Sequence, residues 1–212
     1  MNKNLRLLKP LGLIISSGLT LIFALISFII TAVNSTYDDG YGVSYSYGRK
    51  DLLVIILSSV VILLLGVILL NNAIKKRKTE DWISPAFILA SSAIVSFFML
   101  GSILKPVFEN EVELSSTYIV NIVSTIIGLA ALIMGVIVLV NTLLKKSAYS
   151  SLILSYVMSA CYILSLTIYC INQGIVLVND ETVVGIFFIL AGVAQFIEIL
   201  PLTYGLKDWR LR

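Results

Sequence analysis

A chain of 212 residues that is 58% hydrophobic and only 13% charged is excluded from the soluble globular class, in which charged residues make up about a quarter. Its charges lie in short clusters between apolar runs long enough to cross a hydrocarbon core of about 30 Å at about 1.5 Å per residue, which is the pattern of an integral membrane protein without a separately folding loop domain. The net charge of +3 gives no sign of nucleic-acid binding either, because the longest basic cluster, Lys75-Lys76-Arg77-Lys78, sits between two apolar runs rather than on a basic face outside the membrane.

The first apolar run, about 10–33, follows Lys3, Arg6 and Lys9. It is longer than the apolar region of a signal peptide and ends without a small-x-small cleavage site, so a retained first helix is expected. Further spans are expected at about 52–73, 83–104, 118–144, 148–172 and 183–206. The fold class is therefore all-α: a polytopic membrane protein, residues 1–212 forming one domain of six transmembrane helices arranged as three tandem helical hairpins with short loops.

The loops differ in charge. Of the 15 basic residues, all but Arg49, Lys50 and Lys105 fall at the termini or in the second and fourth loops, while Asp38, Asp39, Asp51, Glu109, Glu111, Glu113, Asp180 and Glu181 lie in the other three. The positive-inside bias then places both termini in the cytoplasm, with the chain in the plasma membrane. In the first outer loop, 34–51, Asp39-Gly40 is a turn signal, and Val43, Tyr45 and Tyr47 alternate with serines as in a short strand, so a small outer hairpin is expected. Its tyrosines either form a surface for a ligand or partner or rest at the headgroup level. Glu109, Glu111 and Glu113 read as a solvated acidic rim.

Helices associate in lipid through small residues and through polar side chains that bond across the interface. The first span carries Ser17, Thr20, Ala24, Ser27 and Thr31 at alternating spacings of three and four, and the fourth carries Asn121, Ser124, Gly128, Ala131, Gly135 and Thr142. The fifth carries Ser151, Ser155 and Ser159, and the third Ala86, Ala90 and Ala93. Each stripe is expected to face a neighbouring helix.

The even-numbered spans share a pattern. Gly66-Val67, Gly135-Val136 and Gly192-Val193 are followed, six residues after the glycine, by Asn72, Asn141 and Glu198, and preceded, seven residues before it, by Ser59, Gly128 and Gly185. This reads as a parallel repeat of hairpins that places Asn72, Asn141 and Glu198 at equivalent positions near the cytoplasmic side, with Glu198 the deepest.

Glu198 is the one ionisable residue inside a long apolar run. Ala191, Ala194, Gln195, Glu198, Leu202 and Gly205 share one helix face, and Pro201, which lacks an N–H, is expected to kink the helix around Glu198. Intramembrane carboxylates are costly and face the interior, a cavity or a partner. Glu198 is thus a structural or snorkelling group, a site for a proton, cation or polar solute, or one half of a pair with another subunit.

Histidine is absent, and no phosphate loop, zinc pattern, nucleophile elbow or paired-carboxylate arrangement is present, so neither an enzymatic activity nor a cofactor is expected. Cys161 and Cys170 are about 180° apart on one helix and read as buried free thiols. The leading reading is a protein that binds or transports a small solute or ion, alone or as the membrane subunit of a complex, with Glu198, Gln195, Asn72 and Asn141 as candidate ligands. The alternative is an interaction, accessory or protective protein acting through its helix faces and the tyrosine-rich loop. Expected partners are the lipid bilayer and a membrane protein or a second copy of the chain, not nucleic acid.

The orientation is open to thiol labelling in a chain whose Cys161 and Cys170 are replaced by alanine. Gly40→Cys is expected to label from outside intact cells and Lys76→Cys only after lysis; the opposite pattern inverts the topology.

Overall fold

The computed structural model describes residues 3–34, 48–75, 77, 82–108, 115–144 and 148–201. These form six helices: α1 (Lys3–Asn34), α2 (Gly48–Ile74), α3 (Ile83–Phe108), α4 (Ser116–Leu143), α5 (Ala148–Asp180) and α6 (Thr182–Ile197). Each is long and apolar enough to cross a membrane, α6 when its continuation to Pro201 is included, and there is no strand among the described residues. The all-α, six-span architecture is as expected. The outer hairpin around Val43, Tyr45 and Tyr47 lies outside the described residues, as do Glu109, Glu111, Glu113 and the end of the sixth span with Leu202 and Gly205.

Each helix packs on the one before and the one after it, and α6 returns to α1, so the bundle closes into a ring; α3 also reaches α5. The α1–α6 closure is antiparallel. Gly12 faces Pro201, the rings of Phe23 and Phe187 lie 6.0 Å apart, and the Ser27 hydroxyl points to the Val184 carbonyl at 3.5 Å.

Heptad spacing sorts the helix faces. On α1, Ile15, Ile22 and Ile29 are exposed to the surroundings while Ser17, Thr20, Ala24, Ser27 and Thr31 are buried. On α4, Ile119, Ile126, Ile133 and Val140 are exposed while Ser124, Gly128, Ala131 and Gly135 are buried. The bulky apolar side chains therefore face lipid and the small residues face protein, the inverse of a soluble bundle, because lipid leaves no hydrophobic gain in hiding an isoleucine. Several buried hydroxyls are satisfied within their own helix: Thr20 donates to Ser16 O at 3.0 Å, Thr125 to Asn121 O at 2.8 Å, Ser159 to Ser155 O at 2.8 Å, and Thr31 to Ser27 O.

Two expectations change. The alanine stripe of α3 is not its packing face: Ala90 is exposed and Ala86 and Ala93 are half-buried, whereas Ile88, Ser91, Ser92, Val95, Ser96 and Met99 are buried. Of the three buried serines, Ser91 bonds across the bundle to Tyr162 and Ser58 O, while Ser92 and Ser96 are buried without a partner. The fifth helix also runs to Asp180 rather than ending near 172. Gly174 and Gly185 bring α5 and α6 into backbone contact, and Glu181 alone joins them, its N–H donating to Leu177 O at 2.7 Å and its carbonyl accepting from Gly185 N at 3.0 Å.

A Cβ at Gly185 would lie 2.4 Å from Val178 N and 2.7 Å from Gly174 O, both backbone atoms, whereas one at Gly101 meets nothing within 4 Å. Gly185→Ala is expected to cost about 3 kcal/mol in reversible unfolding in micelles, and Gly101→Ala to stay within about 1 kcal/mol of wild type. Equal stabilities would show that the α5–α6 contact is not tight.

Candidate functional site

The regular part of α6 stops at Ile197. Glu198 takes φ −60° and ψ −20°, and its N–H bonds to Gln195 O at 3.0 Å, three residues back rather than four, before one further turn ends the described chain at Pro201. This is the break expected around Glu198 from a proline that cannot donate to Ile197 O.

The break keeps Glu198 inside. Its side chain is 1% exposed and that of Gln195 0%. Gln195 Nε2 donates to Glu198 Oε2 at 2.7 Å. The second carboxyl oxygen, Glu198 Oε1, and the amide oxygen of Gln195 are buried without hydrogen-bond partners. Ser16 of α1 faces the same carboxyl, but its hydroxyl is committed to Gly12 O at 2.8 Å.

Glu198 lines a cavity of about 10 Å³, the room of about one water molecule, with Leu13 of α1, Ile62 and Leu65 of α2, Ile88 of α3 and Ser159, Tyr162 and Ile163 of α5. Five of the six helices meet there, in the half of the bundle nearer the termini. Tyr162, which lines the cavity, shares through its hydroxyl a 2.6 Å hydrogen bond with Ser91 of α3, and Ser91 donates to Ser58 O of α2 at 3.3 Å. No group of three or more His, Cys, Asp or Glu able to hold a metal ion is present among the described residues.

The structure joins Glu198 to Gln195 and leaves Asn72 and Asn141 apart. Both asparagines are half-buried, neither lines the cavity, and their helices, α2 and α4, are not neighbours. The Gly-Val pattern does hold locally: Gly66, Gly135 and Gly192 are buried, and Val67, Val136 and Val193 are 46%, 48% and 46% exposed. Depth breaks the equivalence. Gly66 packs on Leu13 and Ile14, and Gly135 on Leu89 and Met158, which puts both level with the cavity, whereas Gly192 packs on Thr167, Cys170 and Ile171, farther from the terminal side. Glu198 therefore stands level with the glycines of the other two copies, and Asn72 lies seven residues beyond Leu65, about 10 Å farther toward the terminal side.

Sequence reading followed the polar face of α5 as far as Ser159 and missed its continuation above the cavity. Ser159, Tyr162, Ser165 and Tyr169 are buried on it, and Asn172 and Gln173 end it, bonding to Asn121 Oδ1 of α4 at 3.1 and 3.3 Å. Ser165 and Ser124 donate to each other's carbonyls at 2.7 Å, and Tyr169 stands beside Asp51 at the start of the α2 span. Spacings of three and four from Ser155 to Gln173 are the signal, diluted in the sequence by leucines and isoleucines.

Comparisons of the chain with protein-family models, with curated proteins and with solved structures give no match.

Gln195→Leu removes the one donor that the carboxyl of Glu198 holds and is expected to destabilise the fold by about 1–3 kcal/mol. Adding Glu198→Leu removes the orphaned acid and is expected to restore at least about half of that loss. A double variant no more stable than the single would show that the pair does not act as a unit.

Proposed function

We propose that the chain is a non-enzymatic membrane protein that binds and passes a small positive species or polar solute at Glu198, alone or as the membrane subunit of a complex. The observation that carries this reading is the buried carboxyl of Glu198, which has one oxygen without a partner and belongs to a residue lining a cavity where five helices meet. An unsatisfied buried acceptor costs about 1–3 kcal/mol, and more when charged, and a bound proton or other positive species relieves that cost. A group that takes up and releases a ligand needs that capacity free.

Gln195 fits the same role. Its amide donates to the carboxylate, and its own oxygen is an acceptor for a carboxylic acid O–H, so the pair accommodates Glu198 with and without a charge. Asn72 and Asn141 do not line this cavity, whereas Ser159 and Tyr162 do.

Proteoliposomes loaded with dyes for protons, sodium or potassium test the reading. Flux of one of the three is expected in wild type and is expected to fall about tenfold or more in Glu198→Gln. Wild-type flux of every ion in Glu198→Gln, or no flux of any in wild type, would remove Glu198 as the site of ion passage.

A further inference from the structure

From the geometry around Glu198 we infer that the species passed is a proton, carried between Glu198 and the face of the bundle remote from the termini along the hydroxyl-bearing side of α5, through Tyr162–Ser91, Ser96 and Tyr169–Asp51. This rests on Glu198 being the site and names both what it binds and the way in.

The identity of the species follows from the cavity. A metal cation stripped of water needs several oxygens around it, commonly about six. This cavity has room for about one water, and of the side chains that line it only Glu198, Ser159 and Tyr162 carry an oxygen, the rest being Leu13, Ile62, Leu65, Ile88 and Ile163. A proton needs only one acceptor and a hydrogen-bonded approach. Glu198 Oε1 is that acceptor, and binding a proton removes the charge that is costly in the membrane interior.

The approach follows from α5. Ser159 to Gln173 is 14 residues, about 21 Å along a helix and two thirds of a hydrocarbon core of about 30 Å, and this stretch carries a polar group at every turn. Across the cavity from Glu198 stands Tyr162, bonded to Ser91. One turn on, Ser96 Oγ lies beside Ser165 at Gly128 and is buried without a partner. One turn beyond Ser165 is Tyr169, which stands beside Asp51, the first residue of the α2 span. Two carboxyls thus stand at the ends of a series of hydroxyls carried by α3 and α5, which passes α2 at Ser58 and Asp51 and α4 at Gly128.

The other titratable groups around this column are Cys170, next to Tyr169 on α5, and Lys9 on α1, one turn before Leu13. α3 and the described part of α4 face it with serines, threonine and methionine, and α6 with Gln195 and Glu198.

The step balances without redox chemistry. A proton leaves water at the remote face, each hydroxyl gives up one proton as it takes another and ends unchanged, and Glu198 carboxylate becomes the neutral acid. Loss of that proton to water on the terminal side restores the carboxylate, so one proton is moved per cycle, down its gradient or along the membrane potential.

The test is proton uptake by proteoliposomes holding a pH dye, with the potential set by potassium and valinomycin, and sodium and potassium dyes in parallel. Wild type is expected to take up protons. Tyr162→Phe, Tyr169→Phe and Ser91→Ala are each expected to lower the rate about tenfold or more. Tyr118→Phe, which removes a hydroxyl bonded to Ile103 O away from the column, is expected to leave it unchanged. Ser91→Ala removes the Tyr162 hydrogen bond with little change of volume and decides the point where a tyrosine variant fails to fold. Full proton uptake in Ser91→Ala or in a folded tyrosine variant, with uptake lost in Glu198→Gln, overturns the path and leaves Glu198 as the site. Sodium or potassium flux in place of proton flux, lost in Glu198→Gln, overturns the proton and again leaves the site. Wild-type flux in Glu198→Gln overturns both.

Discussion

An isoleucine gains nothing by moving from lipid into this bundle, so close approach of the helices is what the rest of the structure depends on. Glycine and serine supply it. Gly185 brings α6 onto the α5 backbone, Gly66 seats α2 on Ile14 of α1, and Gly128 lets Ser165 and Ser96 stand where a Cβ would be. The dispersion gained over such contacts is small per atom and large in sum. Ser124 and Ser165 add a reciprocal pair of hydrogen bonds at the same place, each worth about 0.6–2 kcal/mol in a membrane.

The same requirement makes the interior polar. A helix that packs through serine and threonine brings hydroxyls inside, and most of them here are held by a carbonyl one turn back. An acid can be buried among such groups at lower cost than among leucines, because donors are near. Glu198 uses that environment with one bond to spare. Its backbone lies at the turn where α6 loses regularity, three residues before a proline that rests against Gly12. The close Gly12–Pro201 contact holds the broken end of α6 on α1, and the carboxyl cannot swing out without parting the two.

The spans were legible because hydrocarbon thickness dictates run length, and the seams of α1 and α4 because small and bulky residues alternate there at unbroken heptad spacing. Glu198 and Gln195 were legible for the same reason: polar side chains four residues from an alanine pair on one face have one place to go. The face of α3 was not, because its alanines and serines are both small, and hydrogen bonding to Tyr162 and Ser58 O, which no spacing encodes, decides between them. The end of α5 was misplaced because Asn172 and Gln173 look like a loop by composition; only Asn121 opposite them makes them a helix contact. The repeat was legible as a pattern of faces but not of depths. Depth is set by where each hairpin turns, and the one-residue turn at Glu181 shortens the third hairpin on its far side.

That difference in depth accounts for the acid being where it is. At one level of the bundle α2 and α4 present Gly66 and Gly135, each drawn against the odd-numbered helix of its own hairpin, while α6 presents a glutamate. Had the third copy kept the register of the first two, Glu198 would sit with Asn72 and Asn141 near the end of the hydrocarbon, within reach of water and lysines. Displaced inward by six residues, about 9 Å, it lies instead against Leu13, Leu65 and Ile88, with the amide of Gln195 as its hydrogen-bond donor. An acid at the membrane edge is a surface group whose charge water supports. The same acid two turns deeper depends on the protein for every interaction it makes, and the arrangement leaves one of its oxygens unengaged.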